Sequence, residues 1–309
     1  MKGIMYHYVR PRDKNFPNLH RLDFESFKKQ LDFFDSEYGF INKYDFINCI
    51  KNEKKIKGVI LTFDDALSCH YDFAFNELKK RGLWGIFYVP TSPLKSNKIL
   101  DVHRIHIILS NANIKQVYNY LIQNQFNDLF DEYKIEEFKE LTYLTQKNDE
   151  YSLSIKRILN YFIKYQHRED VIDKLFKLFI KEDYTSEDYY LSIDNLKEMK
   201  SNGMIIGSHT ENHMVMSKIS EDVQREEIIN SFNFLKNELG EQEIKTFCYP
   251  YGGFHTFTER TEELLCDNGC DFSFNVEQRD INVNDLKNRI QALPRFDCNQ
   301  FKYGEPSVD

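Results

Sequence analysis

The stretch KGVILTFDDALSCHYDFAFNELKKRGLWGIFYVP (57–90) reads as strand, helix and strand. An apolar run, KGVILTFDD (57–65), ends in two carboxylates. A helical pattern follows in HYDFAFNELKKRG (70–82), and its Gly82 is an ordinary helix stop. WGIFYVP (84–90) is a second apolar run, closed by Pro90. Such βαβ units build a parallel sheet or barrel.

The rhythm extends in both directions. Upstream, GIMYHYV (3–9) is strand-like, and DFESFKKQLDFF (23–34) has apolar residues at helical spacing behind an Asp23 cap. Downstream, MIIGSH (204–209), IKTFCYPYG (244–252), CDFSFNV (270–276) and IQALPRFD (290–297) read as further strands. The helix SEDVQREEIINSFNFLKNELG (220–240) stops at Gly240. One region breaks the pattern. From about Ser92 to Tyr190 the sequence is polar and helix-periodic, as in VYNYLIQNQF, IKRILNYFIKY and VIDKLFKLFIKE, with no convincing strand. It reads as a helical insertion (92–190) within a single domain spanning 1–309, not as a second enzyme domain.

Composition narrows the function classes. A chain of 309 residues suits one large α/β domain or two smaller ones. With 41% hydrophobic and 29% charged residues it reads as a soluble globular protein. A net charge of −8 without a long basic run disfavours nucleic acid as a partner. The opening MKGIMYHYVRPRDKN lacks the apolar core and cleavage site of a signal peptide, and no segment approaches the roughly 20 apolar residues of a membrane-spanning helix. A cytoplasmic location is therefore expected. The six cysteines form no CxxC pair. Cys266 and Cys270 read as packing and surface positions of a helix rather than a zinc pair, and reduced thiols fit the cytoplasm.

In α/β folds, functional groups gather on loops at the C-terminal ends of strands. LTFDD puts Asp64 and Asp65 there, IIGSHTENH His209 and His213, and YPYG Tyr251 and Gly252. LPRF puts Arg295 near the end of the last strand, and MYHYV puts His7 on the first. Two imidazoles and a carboxylate suit a catalytic divalent metal with a position open for water. The four-residue interval places His209 and His213 on one face of a helical turn. Either pair alone reads more readily as solvated polar residues, because short motifs misfire. Their joint placement at strand ends shifts the balance.

TFDD, SHTENH and YPYG in this order resemble the polysaccharide deacetylase family (NodB-homology, similar to carbohydrate esterase family 4). The resemblance covers residues 1–92 and 191–297. It implies an α/β fold, a distorted (β/α)7-type, TIM-like barrel with a helical insertion. It also implies roles. Asp65, His209 and His213 hold a divalent metal, zinc foremost, with Co2+, Ni2+ or Mn2+ as alternatives. Asp64 is the general base, and the backbone N–H of Tyr251 helps to hold the developing oxyanion. The physics agrees: a cation acidifies water, a neighbouring carboxylate takes the proton, and fixed N–H groups stabilise negative charge.

The chain departs from the family pattern twice. Many members carry a late Leu-x-His acid, but no histidine follows His255 here. MYHYV resembles the permuted arrangement of the biofilm poly-N-acetylglucosamine deacetylases, in which a first-strand histidine is the acid, so His7 takes that role. The alternative is a buried strand histidine bonded to backbone. Many members also have Arg-Pro-Pro-Tyr at the third motif, where the arginine orients the base. Here the stretch is Cys248-Tyr249-Pro250-Tyr251, and cysteine cannot make that ion pair. Arg295 is assigned to supply the guanidinium; its alternative is a structural salt bridge.

ILDVHRIHIIL (99–109) opens the insertion with His103 and His106 behind an Asp101 cap. Both read equally as sugar or phosphate contacts and as solvated helix residues. Pro250 is counted with them as a substrate contact through its motif. The expected activity is N-deacetylation or N-deformylation of an N-acylated sugar. Small, nucleotide-linked and lipid-linked saccharides all qualify, as precursors of a surface polysaccharide such as lipopolysaccharide, and a homo-oligomer is compatible. Two other readings compete. A catalytically inactive glycan-binding relative would have lost the base or a ligand. A glycoside hydrolase needs two carboxylates about 5–10 Å apart flanking the bond, whereas adjacent Asp64 and Asp65 point apart on a strand.

Overall fold

The computed structural model describes residues 1–307 apart from positions 125, 132, 133, 145 and 147. These form two compact units. The first comprises Met1–Pro11, His20–Lys98 and Thr185–Ser307, and the second Arg12–Leu19 and Ile99–Tyr184.

The first unit is built on seven strands: β1 (Lys2–Tyr6), β2 (Val59–Phe63), β3 (Ile86–Val89), β4 (Ile205–Ser208), β5 (Thr246–Cys248), β6 (Phe272–Phe274) and β7 (Phe296–Asp297). All pair in parallel in the order β6-β5-β4-β3-β2-β1-β7. The two ends of this sheet nearly meet. Leu293, just ahead of β7, bridges Phe274 of β6, donating its amide to the Ser273 carbonyl (2.8 Å) and accepting from the Asn275 amide (2.9 Å). The sheet is thus a distorted (β/α)7 barrel, with the seam closed by a single bridge.

Alternation along the strands sorts side chains between two layers. Ile60, Ile86, Tyr88, Ile205, Cys248, Phe272 and Phe274 form the inner cluster, joined by Phe46, Ile47 and Ile50 of the helix Lys43–Asn52. Val59, Leu61, Phe63, Phe87 and Val89 point outward onto Phe27, Leu31 and Phe34 of the helix Phe24–Glu37. Asp23 caps that helix by accepting the Glu25 amide, as its sequence predicts. Gly207 on β4 is obligatory: a Cβ there would lie 2.5 Å from the Tyr88 ring.

The strands are shorter than the apolar runs that announce them. His7 consequently sits one residue beyond β1, not on it, and Arg295 immediately precedes β7 rather than lying near its end. Both corrections have one cause. Each run extends beyond its strand: Tyr8 and Val9 follow β1, and Ala292 and Leu293 precede β7.

The second unit is helical, with Asp101–Asn111, Ile114–Gln123, Ile135–Leu141, Glu150–Arg157 and Tyr165–Phe179 as its α-helices. No strand element occurs among the described residues between β3 and β4. Ile105 and Ile108 of the first helix and Val171, Ile172 and Leu175 of the last are buried as these two helices pack together. Leu100, not Asp101, occupies the N-cap position of Asp101–Asn111. Asp101 opens the first turn and faces Arg104 (3.4 Å) and Arg168 (3.8 Å). Among the described residues no helix is long and apolar enough to cross a membrane.

Candidate active site and metal centre

The site lies at the C-terminal ends of β1, β2, β4 and β5, in the first unit. Asp64 follows β2 and keeps the inward parity of Ile60 and Thr62. Its carboxylate therefore enters the barrel, where Arg295 meets it with two bonds, Nη1 to Oδ1 (2.9 Å) and Nη2 to Oδ2 (2.8 Å). The Arg295 side chain is fully buried. It also donates to Thr62 Oγ1 (2.8 Å) and contacts Cys248 Sγ (2.8 Å), and its guanidinium lies 5.4 Å from the Phe274 ring centre. Burial alone would raise the pKa of Asp64. The charge and hydrogen bonds of Arg295 outweigh it and hold the group at about 2. Asp64 is therefore a carboxylate throughout the physiological range.

Asp65 does not continue the alternation. Its φ is 82° and that of Ala66 is 51°, left-handed conformations that non-glycine residues seldom adopt. This turn swings the Asp65 carboxylate out of the barrel interior toward the histidines. Oδ1 lies 3.4 Å from His209 Nε2 and 3.2 Å from His213 Nε2, and Oδ2 lies 3.9 Å from His7 Nε2. One ligand atom each from Asp65, His209 and His213 falls within 4.8 Å of the others, and all three residues are buried.

His209 and His213 do not share a helical turn. The segment after β4 is a loop, with Thr210 at φ 66° and His213 at φ 55°. The reversal brings the two rings to 4.8 Å at 78°. His209 donates its Nδ1–H to the Cys248 carbonyl (2.7 Å), so in the neutral ring Nε2 is the nitrogen with a lone pair on the side of Asp65. Burial opposes charge on His209, but its surroundings at Cys248, Asp65 and Asp64 push its pKa well above the usual imidazole range. The Cys248 thiol is itself driven up by burial, so the carboxylates carry this effect. Two imidazoles and a carboxylate, one imidazole oriented by a carbonyl behind it, match the donor set of a catalytic divalent-metal site.

His7 is the open side of the cluster, with 40% of its side chain exposed. Its carbonyl accepts a 2.7 Å hydrogen bond from Nε2 of the fully buried His70. Tyr251 has φ 63° and sets its ring 5.0 Å from that of His213. Pro250 is buried. His103 and His106 belong to the second unit and are not part of this cluster. Their rings lie 5.7 Å apart there, His103 buried and His106 half-buried. Cys266 is exposed on its helix, and Cys270 is buried beyond that helix's end.

Three residues around the site escape the sequence reading. His70 looks like one more helix position, and the Cys248 carbonyl carries no sequence signal. Glu227, on the helix Glu221–Leu239, is 3% exposed and accepts hydrogen bonds from the loop between His209 and His213. Glu227 does carry a signal: it falls on the buried stripe of that helix together with Ile228 and Ser231.

The polysaccharide deacetylase family model matches residues 144–271, a segment that holds both histidines and the YPYG motif but not Asp64 or Asp65. A search of curated proteins gave no match. Solved structures resemble the chain over nearly its whole length. The Streptococcus pyogenes deacetylase PplD, in complex with acetate, aligns with a TM-score of 0.58 at 17% identity, covering 96% of this chain and 91% of its own. IcaB from Ammonifex degensii aligns with a TM-score of 0.56 at 18% identity, covering 96% and 90%. A de-N-acetylase from Aggregatibacter actinomycetemcomitans gives 0.54 at 14% identity, covering 96% and 93%.

Proposed function

We propose that this chain, whose residues 144–271 match the polysaccharide deacetylase family model, is a hydrolase of an amide C–N bond that removes an N-acyl group from a sugar with the help of one divalent cation. The observation that supports this most directly is the convergence of Asp65, His209 and His213, with Asp64 next in sequence and His7 across the carboxylate. Asp65, His209 and His213 would hold the cation, zinc foremost. A cation bound there supplies Lewis acidity, polarising the acyl carbonyl and making water acidic near neutral pH.

The chain's own residues do the rest. Asp64 is the proton acceptor. At a pKa of about 2 it is a weak base, so it can act only on water already acidified, which is why base and cation belong together in this reading. Arg295 fixes the direction of that carboxylate. His7, part exposed, passes a proton to the amine nitrogen as it leaves, and the Tyr251 N–H faces the developing oxyanion. Balance is simple: water adds across the amide C–N bond, giving a carboxylic acid and an amine.

Within the proposal, residues 92–190 are an insertion in one domain, and the substrate is a nucleotide-linked or lipid-linked amino sugar on the way to a surface polysaccharide. Of the three residues proposed to touch it, His106 offers more surface than the buried His103 and Pro250. The metal content of purified variants and their turnover of a panel of N-acetyl and N-formyl nucleotide sugars, followed by mass spectrometry, test the reading. Asp64→Asn should keep the metal and lose turnover. His209→Ala should lose both, and His7→Ala should keep the metal while kcat falls on the order of 100-fold or more. Equal metal content in Asp64→Asn and His209→Ala would contradict the ligand assignment.

A further inference from the structure

Between the two histidines lie Thr210, Glu211 and Asn212, and every backbone amide in this stretch has an acceptor. The His209 amide donates to the Val89 carbonyl (3.0 Å), that of Thr210 to Ser208 Oγ (3.2 Å) and that of His213 to Thr210 Oγ1 (2.8 Å). The two amides between them go to a single group. Glu227 Oε2 accepts from Glu211 N (3.0 Å) and Asn212 N (2.7 Å), and its Oε1 accepts from Asn212 Nδ2 (2.6 Å). No ladder carbonyl takes these two amides, and the part-buried bonds to Glu227 stand in for one. Elsewhere the same helix grips the loop's base, where Ser231 Oγ bonds Ser208 Oγ (2.6 Å).

This loop has to be held. Thr210 at φ 66° and His213 at φ 55° are both left-handed, a conformation that costs a non-glycine residue about 1–2 kcal/mol relative to the right-handed one. Relaxation of either residue would rotate His213 away from Asp65. We infer that Glu227 is the positioning residue of the metal loop: by accepting both amides it stabilises the turn that sets His209 Nε2 and His213 Nε2 on the same oxygen of Asp65. The inference rests on the reading of Asp65, His209 and His213 as metal ligands. Glu227 touches neither cation nor substrate and acts through the loop alone.

Metal-stripped protein titrated with Co2+, followed by its visible absorption and by competition with Zn2+, reads this out without turnover. The wild type should bind one Co2+, and His209→Ala none. Glu227→Ala should bind about 10–100-fold more weakly, the range expected when a group supporting a ligand is removed. Glu227→Gln keeps an acceptor oxygen for the amides and should stay within about fivefold of wild type, a rescue that a merely structural role in the helix would not produce. A folded Glu227→Ala within about twofold of wild type overturns the inference while leaving the metal reading intact. Absence of Co2+ binding in the wild type, or undiminished binding in His209→Ala, removes the metal reading and this inference with it. Should Glu227→Ala not fold, Glu227→Asp decides: its carboxylate is withdrawn by one methylene, so about tenfold weaker binding supports the inference and wild-type affinity overturns it.

Discussion

Replacing Arg295 with methionine should be among the most damaging single changes available in the barrel. The side chain is fully buried, and it makes the only salt bridge to Asp64 among the described residues. After Arg295→Met, Asp64 is left with the weak contact of the Cys248 thiol at 3.4 Å and with the neighbouring His209 imidazole. Removing one partner of a buried ion pair costs about 3–5 kcal/mol, because the other charge is left uncompensated. That is a large share of a typical folding free energy of about 5–15 kcal/mol. The sign of the pH dependence should change as well. In the wild type, Asp64 titrates at about 2 when folded against 3.8 for its ordinary value. Its contribution, about 2 kcal/mol, is fully present above pH 4 or so and is lost as pH falls toward 2. Without Arg295, burial raises the folded pKa above the unfolded one, so the variant loses stability as pH rises through that value.

Urea unfolding of chelator-treated protein at pH 5 and pH 7 measures both effects. The difference between wild type and Arg295→Met should reach about 3–5 kcal/mol at pH 7 and be smaller at pH 5. The double variant Arg295→Met/Asp64→Asn removes the stranded charge and should be more stable than Arg295→Met alone. A cost below about 1 kcal/mol, or a double variant no better than the single one, would refute the claim that this pair is a buried, mutually dependent unit.

Two further perturbations test the surroundings of the site. Burial lowers the pKa of His70 to about 4, so its neutral form supports the fold fully above about pH 6.5 and that support, about 3 kcal/mol, drains away as pH falls toward 4. His70→Gln should flatten the decline in melting temperature between pH 7 and pH 5, and an unchanged slope would assign the acid sensitivity to other groups. Gly252 sits at φ 72°, and a Cβ there would run into Val276. Gly252→Ala should therefore lower stability by more than about 1 kcal/mol in a thermal melt, and a neutral result would show that the turn behind Tyr251 readjusts freely.

Much of this architecture is legible in the residues because parallel strands buried on both faces leave unbroken apolar runs, and each run from GIMYHYV to IQALPRFD does contain a strand. What the runs hide is where the ladder stops. The runs extend beyond their strands, so His7 and Arg295 read as strand residues when they flank the strands. The interval between His209 and His213 misleads for a different reason. An i, i+4 pair is equally available to a helical turn and to a loop with two left-handed residues, and the choice is made by acceptors far away in sequence, above all Glu227.

That residue shows how such a dependence becomes readable. On the helix Glu221–Leu239 the buried positions are Gln224, Glu227, Ile228, Ser231, Phe232 and Leu235, the spacing of one helix face. Three of these six are polar. A polar side chain on a stripe that periodicity assigns to the core has to find a partner there, or its burial costs the fold. Glu226, one residue earlier, is off the stripe and carries no such obligation. Helical periodicity alone therefore separates the two glutamates. It also says that the buried one must meet a partner, and in this chain the partner is the pair of amides in the loop between the two histidines.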